Sequence, residues 1–142
     1  MTDLAQAKRF LGLNITQLSN GIFLSCEDYI NKLAMKYHLE HVRKATTPYL
    51  SGVKIDEIKS PKYTSPTEYR ELIGKLLYAS NTVRGDIAYI TNKLARHFQQ
   101  PDEIHFRYAK HVLRYLILTK HLGLLYKKGE CNLEVYCTMK MI

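Results

Sequence analysis

The chain has 142 residues, 46% of them apolar and 24% charged, which suits one compact domain or a piece of a larger protein and excludes an array of domains. No apolar run approaches the ~18 residues of a membrane helix, and the opening MTDLAQAKRF carries an early acid and lacks the apolar core of a secretory signal, so a soluble, intracellular chain with no membrane partner is expected. The net charge is +8 and uneven, with nine Lys or Arg against Asp86, Asp102 and Glu103 between residues 84 and 128, a balance that points to a polyanion.

Near the start, RFLGLNITQLSNGIFLSC places two β-rich runs around Ser19-Asn20-Gly21. Asn-Gly between such runs is the strongest short-range hairpin signal, so an N-terminal β-hairpin is expected. Ser25 precedes Asp28 by three residues like a capping box, and Tyr29, Ile30, Leu33 and Tyr37 follow at helical spacing, predicting a helix of about three turns. Residues 1–40 thus form a hairpin-and-helix unit. Residues 41–65 have two prolines, a glycine and no sustained period, the pattern of a long loop, read here as a mobile surface arm.

Ser65-Pro66-Thr67-Glu68 supplies an N-cap, a proline at the first helical position and an acid in the first turn, so a helix starts there and runs to about Thr82. Tyr69, Leu72, Ile73, Leu76 and Ser80 share its apolar face. Gly85-Asp86 interrupts the chain, and Ile87, Ile90, Leu94 and Phe98 then mark a short second helix. Pro101-Asp102-Glu103 opens a third helix to about Thr119, with Tyr108, Ala109, Val112 and Leu116 on one side and Arg107, Lys110 and Arg114 on another. Residues 66–120 are therefore helical. LGLLYKKGECNLEVYC reads as two short strands around Lys128-Gly129, giving residues 121–142 a short C-terminal β-hairpin. The expected class is α+β: a hairpin, a bundle of three to four helices, and a final hairpin.

The stretch LIGKLLYAS puts Gly74 inside a helix, off its apolar stripe, with Tyr78 one turn later. Glycine there costs about 0.5–1 kcal/mol relative to alanine. Two explanations are open. A sugar or base edge of a nucleic-acid duplex approaches the backbone at Gly74 while Tyr78 offers a ring and basic side chains hold phosphates, or a neighbouring helix or loop packs closely at that point. On the first, the contacting residues are Gly74, Lys75, Tyr78, Arg84, Lys93, Arg96, Arg107, Lys110 and Arg114. Cys26, Cys131 and Cys137 form no C-x-x-C pair, and the histidines His38 and His41, or His105 and His111, lack partners at a ligand spacing, so no disulfide framework, metal site or cofactor is expected.

The blocks MTDLAQAKRFLGLNI, GIFLS, TTP, YRELIGKLLYAS, RGDIAYITNKLARHFQQP, AKHVLRYL and GLLY, in this order and with His105 between the last long ones, resemble copia-type long-terminal-repeat retrotransposon polyproteins. The similar part follows the reverse transcriptase palm and leads into RNase H. The resemblance implies a primer-grip-like hairpin at residues 10–25 and thumb or connection helices whose Gly74 and Tyr78 track the minor groove of an RNA-DNA or DNA duplex. It also implies that residues 121–142 open a truncated RNase H.

The likeness has departures. The sequence contains no Asp-Asp for a polymerase metal pair, and where the family reads GYSDADWAG, Thr138 and Lys140 stand at the aspartate positions after Tyr136. A neutral hydroxyl and an ammonium cannot replace carboxylates on Mg²⁺. Gly85 stands where the family has proline, which loosens that turn. The expectation is a non-catalytic, degenerate fragment with residual duplex binding. The alternative is an interaction protein that docks on intact retroelement proteins. Asp86 beside Arg84, and His111, have plain readings as a helix cap and a solvated face, so an independent enzyme is disfavoured.

Overall fold

The computed structural model describes residues 8–129. The described residues form two parts, a four-stranded antiparallel sheet and a bundle of four helices, so the α+β expectation holds. The sheet order is β1 (Arg9–Phe10), β2 (Leu13–Leu18), β3 (Gly21–Ser25) and β4 (Gly123–Lys127). Ser19-Asn20 turns β2 into β3 with Leu18 opposite Gly21 and Asn14 opposite Ser25, so the expected hairpin forms with Gly21 as the first residue of β3 and not inside the turn. β4 arrives from the far end of the chain and pairs with β3 along its whole length, Gly123 opposite Ser25 and Lys127 opposite Gly21. The second strand of the expected C-terminal hairpin lies outside the described residues, and so do Thr138 and Lys140 in the tail after it.

Helix α1 (Glu27–Lys36) follows β3 directly. Its N-cap is Cys26, with no side-chain cap bond, so the Ser25 capping box is corrected: Ser25 closes β3 and is buried. The helix's first turn finds its partner across the sheet instead, where the Asp28 N–H donates to Asn14 Oδ1 at 3.3 Å and Asn14 Nδ2 donates to the Asp28 carboxylate at 2.9 Å. A free helix end needs any acceptor in reach, and the strand supplies it. Helix α2 (Pro66–Thr82) starts at its proline, and Tyr69, Leu72, Ile73, Leu76 and Ser80 are all buried, the face its spacing gives. A 3-10 turn at Gly85–Ile87 leads into α3 (Ala88–Ala95), and α4 (Glu103–Leu118) opens on a reciprocal cap in which the His105 Nδ1 accepts the Asp102 N–H at 2.8 Å.

One core joins Ile30 and Leu33 of α1, Leu72 and Leu76 of α2, Ile90 and Leu94 of α3, and Val112, Leu113 and Leu116 of α4. Each such side chain contributes about 1.5–3 kcal/mol by leaving water. The Tyr69 hydroxyl, buried with this core, donates to the Leu94 carbonyl at 2.6 Å and fixes α2 against the end of α3.

Residues 41–65 carry no helix or strand, as expected, but they are not a free arm. Ile55 is fully buried and Ala45 nearly so. The Tyr63 N–H donates to Pro101 O at 2.9 Å and the Glu103 N–H to Pro61 O at 2.8 Å, while the Asp56 carboxylate meets His97 at 2.8 Å. Of the segment's scattered apolar residues only Ile55 is fully buried, while Val42, Leu50 and Ile58 stay exposed, and apolar residues without a sustained period give a local pattern search nothing to register. Among the described residues no helix is long and apolar enough to cross a membrane.

Candidate nucleic-acid interface

Between β1 and β2 the chain turns through Leu11 at φ 50° and Gly12 at φ 82°. Both values are positive, the geometry of the two-residue turns that match strand twist. Glycine accepts it freely, whereas a leucine there carries strain of order 1–2 kcal/mol and has to be held. Tyr78 of α2 holds it by donating its hydroxyl to the Leu11 carbonyl. The Tyr78 ring in turn rests on Tyr29 of α1, centroids 4.9 Å apart and planes at 53°, and the Tyr29 hydroxyl donates to the Lys75 carbonyl at 3.1 Å. Burial above all, with the neighbouring Tyr78 and Cys26, pushes the Tyr29 pKa up to about 12, so it remains a donor at neutral pH.

These contacts leave a groove of about 390 Å³ walled by Leu11, Gly12, Tyr29, Arg70, Glu71, Gly74, Lys75 and Tyr78. Gly74 is exposed in that wall, and a Cβ built there meets nothing within 4 Å. Close packing by a neighbour, one of the two explanations for this glycine, therefore has no support among the described residues. The rim carries two cations and one carboxylate. Glu71 is clamped by Lys36, whose hydrogen bond holds its carboxyl below the usual range, with Lys75 at 3.6 Å adding to the effect. Arg70 is oriented by its Nε donating to Phe98 O at 2.7 Å and its Nη2 to Gln99 O at 3.3 Å.

The sequence-derived contact residues divide into groups. Gly74, Lys75 and Tyr78 share the groove. Tyr78 is half-buried with its hydroxyl committed to the turn, so it is a wall of the groove and not the free flat ring expected. Arg84 is corrected outright. It is 2% exposed, its Nε and Nη2 donate to the two Asp86 carboxylate oxygens at 3.0 and 2.7 Å, and Nη1 donates to Thr119 O at 2.9 Å. Tyr115 completes the cluster by donating to Asp86 at 2.7 Å. Burial works to raise the Asp86 carboxyl, but hydrogen bonds from Arg84 and Tyr115 outweigh it and keep it below the usual range. Arg84 ties the end of α2 to the end of α4, and no phosphate can reach it.

Lys93 is also engaged within the fold, 3.7 Å from Asp56 and about 5.8–5.9 Å from the centroids of Tyr49 and Tyr89. Arg96 is exposed at the end of α3. Lys110 lies 4.5 Å over the Phe106 ring, which stacks on Tyr63. Arg107 and Arg114 line a different cavity, which shares no wall residue with the Gly74 groove. Sequence reading missed Leu11, Gly12, Tyr29 and Arg70 as groove residues. Phe-Leu-Gly-Leu does carry a signal, a glycine splitting a β-rich run, but the turn's position over α2 is a tertiary fact.

Over 139 residues, 96% of this chain, the sequence is 40% identical to a Ty5-1 transposon protein of Saccharomyces cerevisiae. It is 36% identical over 121 residues to the retrovirus-related Pol polyprotein of transposon RE1 from Arabidopsis thaliana, and 30% identical over 139 residues to an uncharacterized mitochondrial protein of the same plant. The chain spans 45% of the yeast protein's length, 8% of the RE1 polyprotein's and 57% of the mitochondrial protein's. No family model matches the chain. No solved structure matches it either.

Proposed function

Because the homologues of this chain are Ty5- and copia-type retrotransposon Pol polyproteins, matched over most of its length, we propose that it is a Pol-derived, non-catalytic fragment that holds a nucleic-acid duplex in the groove beside Gly74. The observation that carries this reading is the open glycine. A helix-interior residue that weakens its helix, faces no packing partner and lines a groove is accounted for by something outside the fold coming close to its backbone. Lys75 and Arg70 on the rim suit phosphates, and Leu11 and Tyr29 give apolar walls for sugars. The non-catalytic part of the reading rests on the sequence, which has no Asp-Asp, and on the family resemblance, which implies aspartates where Thr138 and Lys140 stand.

Fluorescence anisotropy with labelled RNA-DNA and DNA duplexes bearing 5′-hydroxyl ends tests the reading. Binding is expected in the range of about 10⁻⁶–10⁻⁴ M, weakening steeply with salt and indifferent to sequence. Gly74→Trp, which fills the groove, lowers affinity by roughly tenfold or more while the circular dichroism spectrum stays unchanged. Salt-independent binding, or full affinity in Gly74→Trp, rules the reading out.

A second reading, docking on intact retroelement proteins, is favoured by the sheet. Phe10, Leu11, Ile22, Leu125 and Tyr126 are all exposed on or beside it, and grouped exposed apolar side chains suit a protein partner. Co-purification with parent element proteins from nuclease-treated extract, lost in Ile22→Lys with Tyr126→Lys, separates docking from duplex binding.

A further inference from the structure

Helix α4 directs Ile104, Arg107, Tyr108, His111 and Arg114, spaced by three and four residues, toward a cavity of about 210 Å³ closed by Leu50 of the 41–65 segment. The segment is held there from both sides: Ile55 sits in the core, and His111 Nε2 lies 2.9 Å from Thr47 O. Burial above all, with the Arg114 charge adding, lowers the His111 pKa against that hydrogen bond. The ring is therefore neutral at pH 7 and donates from Nε2, a fixed wall and not a mobile cation.

The two arginines are unlike Arg70 and Arg84, which donate to carbonyls or carboxylates of the fold. Neither Arg107 nor Arg114 is in an ion pair among the described residues. Arg114 Nε is buried with no hydrogen-bond partner among them, and a buried donor in that condition calls for an acceptor. Two guanidinium groups one face apart, one with an unmet buried donor, beside a small half-apolar cavity, make a site for an oxyanion. Volume sets its size. At about 210 Å³ the cavity is smaller than the ~300–1,000 Å³ of whole small-molecule sites, so it takes one group and not a nucleotide.

Charge and access choose the group. A phosphate monoester carries close to two negative charges at neutral pH and ends its chain, whereas a diester inside a strand carries one and is flanked by two sugars. We propose that this cleft binds a terminal phosphate monoester, Arg107 and Arg114 donating to its oxygens and Leu50 and Ile104 covering the carbon next to it. The group can come from the 5′-phosphorylated end of a nucleic-acid strand or from free phosphate. Because the cleft shares no wall residue with the Gly74 groove, its success or failure is separate from that of duplex binding.

The experiment compares two 3′-labelled single-stranded oligonucleotides of one sequence, one with a 5′-phosphate and one with a 5′-hydroxyl, by anisotropy on the full chain at physiological salt. The phosphorylated strand is expected to bind about tenfold more tightly, the size of one charge-assisted contact. The advantage disappears in Arg107→Gln and in Arg114→Gln and persists in Gly74→Trp. Competition by millimolar inorganic phosphate assigns recognition to the phosphate alone, and its failure to compete assigns it to phosphate on a strand. Equal affinity of the unaltered protein for both strands overturns the proposal, and so does an advantage that survives both arginine substitutions. The first comparison needs no variant and holds even where Arg114→Gln folds poorly.

Discussion

At Gly74 stability and the proposed duplex binding pull in opposite directions. With open space where a Cβ stands, Gly74→Ala is expected to stabilise the protein by about 0.5–1 kcal/mol in urea denaturation, and an unchanged or lower midpoint means that the glycine serves the fold. Arg84 is the opposite kind of residue. Replacing it with methionine leaves the Asp86 carboxylate with Tyr115 as its remaining side-chain donor and takes the guanidinium from the Thr119 carbonyl, and with Asp86 partly open to water the loss is about 3 kcal/mol, the low end for a broken buried pair. His105 gives the fold a pH dependence. It is buried, stacks on His97 at 3.8 Å, and is held below its ordinary pKa by desolvation first and by His97 second, which outweigh the pull of Asp102 and Asp56. The unfolded chain then binds a proton more readily than the folded one, so this contribution is intact above the unfolded value of about 6.5 and lost as pH falls through it toward the lower folded value. Denaturation midpoints measured from pH 7.5 to 5 should fall in the native protein and fall less in His105→Gln.

Among the elements, the 41–65 segment and the sheet depend most on distant contacts. Ile55 is the apolar anchor of its segment, and Ile55→Ala is expected to cost about 2–4 kcal/mol and to raise amide exchange from residue 45 to residue 63 before the helices open. If exchange rises uniformly across the molecule, the segment has no independent opening. In the sheet, a Cβ on Gly123 falls 2.0 Å from the Leu24 carbonyl oxygen, so Gly123→Ala should part β4 from β3 and expose the β3 amides, an effect visible in hydrogen exchange at Ile22 and Leu24. The helices were legible in the sequence because their signals are local. Pro66, Gly85 and Pro101 punctuate the chain, and the apolar residues between them recur at helical spacing and are buried or half-buried apart from Tyr89. The cap of α1 was not legible, because its acceptor, Asn14, sits on another strand.

For the molecule as a whole, the placement of charge matters more than its total. Of the basic residues in the C-terminal half, Arg84 and Lys93 are spent inside the fold, while Lys75 rims the groove and Arg107 and Arg114 face a separate cavity. Nucleic-acid binding is therefore expected to respond unequally to neutralisation: Lys75→Gln reduces the salt slope by about one, whereas Lys93→Gln leaves it unchanged and lowers stability instead. Composition, periodicity and turn residues settled the α+β class, the hairpin and the four helices, since each depends on residues close together in the chain, and the quoted sequence blocks carried the family likeness. The destination of β4, the burial of Arg84, the clamp on residues 41–65 and the walls around Gly74 belong to the folded molecule alone. They arise where segments dozens of residues apart meet, and whether a given arginine faces water or a carboxylate is decided by which neighbour fills the space beside it.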